Sequence, residues 1–89
     1  MAQSLMLYKV TSFDEHDSEF EKDSGIFLNF EAAKEVAEAQ IGVKHLDFTT
    51  INGVIIEEYQ DKGKEGYQRV SQWLCLESDA MRWEWSAVG

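Results

Sequence analysis

The period of apolar and polar positions changes several times along the chain, and those changes mark its elements. Residues 5–13, Leu-Met-Leu-Tyr-Lys-Val-Thr-Ser-Phe, are rich in strand formers. Apolar side chains fall on both faces early and mixed ones later, which predicts an inner strand of a sheet. Residues 14–24 lose that pattern and become a charged stretch, read as an acidic loop. A short apolar run, Gly25-Ile26-Phe27-Leu28, then ends at Asn29, whose side-chain oxygen suits a helix N-cap. A helix over about 30–41 follows. At 100° per residue Phe30, Ala33, Val36, Ala37 and Ile41 fall within an arc of about 140°, and Glu31, Glu35 and Glu38 within about 60° on the other side. Gly42 stands where a left-handed residue is wanted after the helix, and Lys44 and His45 complement its C-terminus.

The second half alternates with period two. Residues 46–51 and 54–60 flank Asn52-Gly53, a strong hairpin signal because both residues tolerate the positive φ of a type I′ turn. A bulge within one long strand is the competing reading. Residues 61–66 form a polar turn. Residues 67–77 fit a strand, with Val70, Gln72, Leu74 and Leu76 on one side, and also fit a helical stripe of Tyr67, Val70, Trp73 and Leu74. The preceding turn and the β-favouring residues favour the strand. After Ser78-Asp79-Ala80, Met81, Trp83, Trp85 and Ala87 alternate with Arg82, Glu84, Ser86 and Val88, a strand with one buried face. The sum is an α+β domain over residues 1–89. Its architecture is a curled antiparallel sheet of about four to six strands with one amphipathic helix packed on one face.

Composition narrows the function classes. With 89 residues the chain holds one small core, which excludes Rossmann or barrel enzymes on length. Charged residues at 28% and aromatics at 12% indicate a folded domain rather than an acidic tail. The lone Cys75, in an apolar setting, is expected as a buried small hydrophobe and implies a reducing, cytoplasmic compartment. Uninterrupted apolar runs of four residues, against the roughly 18 needed to span a bilayer, predict no membrane association, and the opening residues lack a signal peptide's positive region.

Catalytic and metal chemistry find no pattern. Counted from Asp17, the tight-turn glycine of a calcium loop is Lys22 and its bidentate glutamate is Leu28, so the oxygen cage is not encoded. His16 has no second ligand at helical spacing, and no nucleophile elbow or phosphate-binding glycine loop occurs. The expectation is a non-enzymatic protein with no catalytic residues, metal or cofactor. Seventeen acidic against eight basic residues give a net charge of −9, the wrong sign for direct nucleic-acid binding.

What remains is the acid itself. Asp14, Glu15, Asp17, Glu19, Glu21 and Asp23 occupy the charged stretch, Glu31, Glu35 and Glu38 the helix, and Glu57, Glu58 and Asp61 the expected hairpin. Carboxylates two apart on a strand rise about 6.8 Å and those three or four apart on a helix about 4.5–6 Å, approximating a string of backbone charges. The expected partner is a protein with a basic surface, such as a nucleic-acid-binding effector, with Tyr59 and Trp73 as apolar anchors and Trp83 and Trp85 in the core. The competing reading is a regulatory or subunit domain that binds or homodimerises through sheet edges, its acid serving solubility.

The opening Leu7-Tyr8-Lys9-Val10-Thr11, Gly25-Ile26-Phe27-Leu28-Asn29 and Glu31-Ala32-Ala33-Lys34-Glu35-Val36-Ala37 resemble small proteins of phages and mobile elements over about the first half of the chain. Size and charge are similar to those of phage-encoded inhibitors of host defence, including anti-CRISPR proteins and other DNA mimics. The resemblance implies an inhibitor that occupies a nucleic-acid-binding site, and it carries over no individual residue.

Overall fold

The computed structural model describes residues 5–15, 17–44 and 50–87, and of residues 17–20 the backbone alone. Five antiparallel strands form one sheet in the order β2-β1-β3-β4-β5: β1 is Met6–Asp14, β2 Asp17–Phe27, β3 Gly53–Asp61, β4 Tyr67–Leu76 and β5 Trp83–Ala87. The helix α1, Phe30–Gln40, links β2 to β3 and packs on β1, β2 and β3. The α+β fold with one helix on one sheet face is as the sequence predicts.

Asn29 caps α1 as expected, its side-chain oxygen accepting the Ala32 N–H at 2.7 Å, and Gly42 takes a φ of 91° just past the helix. Ala33 and Ala37 are fully buried because only small residues let the helix backbone approach the sheet. Beneath them lie Val10, Val54, Ile56 and Cys75, with Ile51 completing the core. Burial, followed by the charge of Glu38, pushes the Cys75 thiol up, so it stays protonated. The register sets Val10 beside Ile56 and Ile56 beside Trp73, so Tyr8, Val10 and Ser12, Val54, Ile56 and Glu58, and Ser71, Trp73 and Cys75 share the helix-side face. Leu7, Lys9, Thr11 and Phe13 turn to the opposite, open face with Ile55, Glu57, Tyr59 and Leu74.

Three expectations are corrected. The acidic stretch is not a loop but most of edge strand β2, paired with β1 from Phe27 opposite Tyr8 to Asp17 opposite Asp14. Two register shifts bend this strand, and Gly25, at φ 134°, sits under the ring of its neighbour Phe27 where any Cβ would clash. Asn52-Gly53 is not a hairpin turn, because β3 starts at Gly53 and pairs with β1 and β4. Phe13 lies over Gly53, so a Cβ there would fall 2.4 Å from its ring, which explains a glycine inside the sheet. The strand expected over 46–51 falls mainly outside the described residues; of its end, Thr50 bridges Lys44 and Ile51 is buried.

Asn52 instead ties distant segments together. Its Oδ1 accepts the Glu15 N–H at 2.7 Å and its Nδ2 donates to Asp14 Oδ1 at 3.1 Å, closing the β1–β2 turn. Its own carbonyl accepts the Glu77 N–H at the end of β4. Residues 67–76 form a strand, as favoured. Ala80 and Met81, both with positive φ, turn the chain into β5.

Candidate functional site

The predicted acidic residues fall into three environments. Glu31, Glu35 and Glu38 line the outer, solvent-facing surface of α1 around a shallow depression that also includes Ala32 and Lys34. Glu21 and Asp23 are exposed on β2, opposite Phe13 and Thr11, and so project toward the open sheet face rather than the helix side. Asp23 meets Lys9 at 3.6 Å. The side chains of Asp17 and Glu19 lie outside the described residues. The acid is thus drawn to one end of the sheet, at edge β2 and the helix above it, but on both of its faces.

The remaining carboxylates make contacts within the fold. Asp14 and Glu15 belong to the Asn52 junction, and Glu15 also accepts from Ser78 Oγ at 3.1 Å. Glu57 is held by Arg69 at 2.6 Å, its side chain only 14% exposed. Asp61 accepts the Gly63 N–H at 2.8 Å and fixes the β3–β4 turn. Glu58, on the helix-side face, accepts from Ser71 Oγ at 2.6 Å, and Ser71 is 4% exposed. Burial first, then the hydrogen bond to Glu58 and its charge, push the Tyr8 phenol up to about 12.

That shift has a testable sign. The folded phenol titrates above the ordinary value near 10, so its contribution to stability is complete below pH 10 and is lost as pH rises toward about 12. Denaturant unfolding across this range is expected to show a decline in stability that is shallower in Tyr8→Phe. Equal slopes for the two proteins would contradict the upward shift of the Tyr8 phenol.

Among the aromatic residues, Trp85 departs from expectation. Trp73 is half-buried, its ring 4.5 Å from that of Phe30 and 6.4 Å from that of Tyr8. Trp83 packs against the core and donates its indole N–H to Glu38 at 2.9 Å. Trp85, expected in the core, is 60% exposed. Period-two alternation correctly put Trp83 and Trp85 on one face but carried no information on how far α1 reaches across it. Tyr59 is half-buried on the open face, where it lines a hollow of about 260 Å³ with Leu7, Lys9, Ile26 and Tyr67. Ile26 is 64% exposed there. The sequence signal for this surface was the apolar character of both faces of β1.

Among the described residues no group of three His, Cys, Asp or Glu side chains could hold a metal ion, and no helix is long and apolar enough to cross a membrane. Compared with protein families, with curated proteins and with solved structures, the chain matches none.

Proposed function

We propose that this chain is a protein-binding module whose acid, along the outer surface of α1 and on edge strand β2, engages a basic groove on another protein. The observation that carries the reading is the outer face of α1: Glu31 and Glu35 stand in solvent there, beside the exposed Glu38 that holds Trp83, with Lys34 as the nearby cation. Glu31 and Glu35 repel at i,i+4, a cost of about 0.2–0.5 kcal/mol that folding alone does not require. Glu21 and Asp23 carry further acid on β2, on the open face of the sheet. A partner lined with Lys and Arg recovers this repulsion, and complementary charge speeds the encounter.

In its finer form the proposal is inhibition by mimicry, with the carboxylates standing in for phosphates in the nucleic-acid-binding groove of a host-defence effector in the cytoplasm. Binding, rather than catalysis, is then the whole activity. Heparin tests this form, since a groove built for polyanions accepts either. A partner captured from nuclease-treated host lysate is expected to be released by heparin at a constant salt concentration. A partner that stays bound under saturating heparin would contradict mimicry.

A further inference from the structure

The sheet has two edges, and they are built differently. Edge strand β2 is charged, with Glu21, Lys22 and Asp23 all exposed, and two register shifts interrupt its pairing with β1. Charges and bulges of this kind block the addition of another strand. Edge strand β5 has no register shift and little charge. Its five residues run in unbroken register against β4, from Cys75 opposite Trp83 to Ser71 opposite Ala87. It carries one charged residue, Glu84, which lies 3.8 Å from Arg82, so this edge is close to neutral in a chain of net charge −9. At its centre stands the 60% exposed Trp85.

We propose that β5 pairs, antiparallel and about a two-fold axis, with β5 of a second copy of this chain. This inference is independent of the acidic-surface reading. A two-fold centred on Trp85 is the register that uses all five residues of Trp83–Ala87. It sets Trp85 beside Trp85 of the second copy, Glu84 opposite Ser86, and Trp83 opposite Ala87. Cross-strand aromatic pairs are favourable, and no like charges stand directly opposite. A register centred on Glu84 would oppose two carboxylates instead. The pairing joins two sheets into one of ten strands and satisfies the backbone groups of the open edge.

Charge also favours a second copy over an acidic or a basic stranger. The strongly acidic β2 is the far edge of the same sheet, four strand spacings of about 4.8 Å from β5. In the pair the two β2 edges lie about 40 Å apart, several times the screening length of about 8 Å at physiological salt. The charge of β2 therefore does not oppose this contact. The pair also carries the acidic ends outward, so one assembly presents two of them.

Sedimentation equilibrium and light scattering on the full chain test the proposal. The wild type is expected to dimerise with rising concentration. Ser86→Glu, which sets a carboxylate opposite Glu84 of the second copy at two symmetric positions, is expected to weaken the dimer roughly tenfold. Ser86→Lys, which sets a cation there, is expected to hold or strengthen it. Lys64→Gln, in the exposed β3–β4 turn, makes the same net charge change as Ser86→Glu and is expected to leave the dimer unchanged. A wild type monomeric to millimolar concentration would overturn the pairing. So would Ser86→Lys weakening the dimer as Ser86→Glu does, or Lys64→Gln matching Ser86→Glu.

Discussion

Replacing Ile56 by alanine is expected to cost about 2–5 kcal/mol, a large part of the roughly 5–15 kcal/mol that holds a domain together, whereas Ile55→Ala costs less than half as much. The two residues are neighbours of the same type on the same strand and differ only in the face they occupy. Ile56 is fully buried, with Val10 on β1 and Trp73 on β4 at its flanks and α1 on that face. Removing its side-chain carbons leaves a cavity among side chains that are already packed, and Ala33 and Ala37 offer little to fill it. Ile55 lies on the open face, half-buried between Thr11 and Leu74, where water already reaches. Denaturant unfolding of both variants reads the difference directly. Equal losses would mean that the two faces are equally covered, and the one-sided architecture would fail.

How much of this was legible in the sequence depends on the range of the information. The helix was legible because its signals are local: Asn29 caps it, the apolar arc repeats at 3.6 residues, and Gly42 supplies the positive φ that ends it. The strands over 67–76 and 83–87 were legible from alternation and β-branched or aromatic residues. Strand β2 was not, because a run of Asp, Glu and Lys has poor strand propensity and its pairing is imposed by β1. The same charges make sense once the strand is an edge, where they deter further pairing. Asn52-Gly53 misled for a related reason. Its turn-like chemistry is spent on Asp14 and Glu15, 38 and 37 residues away, and a local motif does not reveal such partners.

The candidate site divides along the same line. Carboxylates on the helix surface were found because helical spacing fixes which residues share a face. The internal contacts of Glu57, Glu58 and Asp61 were not legible because Arg69, Ser71 and the Gly63 N–H reach them through the β3–β4 hairpin and its pairing. Trp85 was misplaced because α1 packs on β2, β1 and β3 and reaches β5 at Trp83, through Glu38, leaving Trp85 60% exposed. What the structure adds to the acidic reading is selection, since it separates carboxylates spent on the fold from those left in solvent.

The second large effect follows from that selection and concerns binding. Glu21, Glu31 and Glu35 are exposed on β2 and α1, whereas Glu65, Glu77 and Asp79 are exposed at the two short turns of the other half of the sheet. Replacing either trio by lysine changes the net charge by the same amount. The trios differ only in where the charge sits. Neither includes Glu38, which holds Trp83, nor Asp23, which meets Lys9. Both triple variants are expected to keep the wild-type circular dichroism spectrum, which confirms that binding is compared between folded proteins.

The direct test is quantitative capture of the proposed protein partner by the wild type and by both triple variants, at low and at high salt. The acidic-surface account predicts that Glu21, Glu31 and Glu35 to Lys loses the partner by tenfold or more, that the Glu65, Glu77 and Asp79 variant retains it, and that high salt releases it from both binders. Equal loss in the two variants would make net charge, not the surface of α1 and β2, responsible. Retention by both, undiminished at high salt, would contradict the account outright.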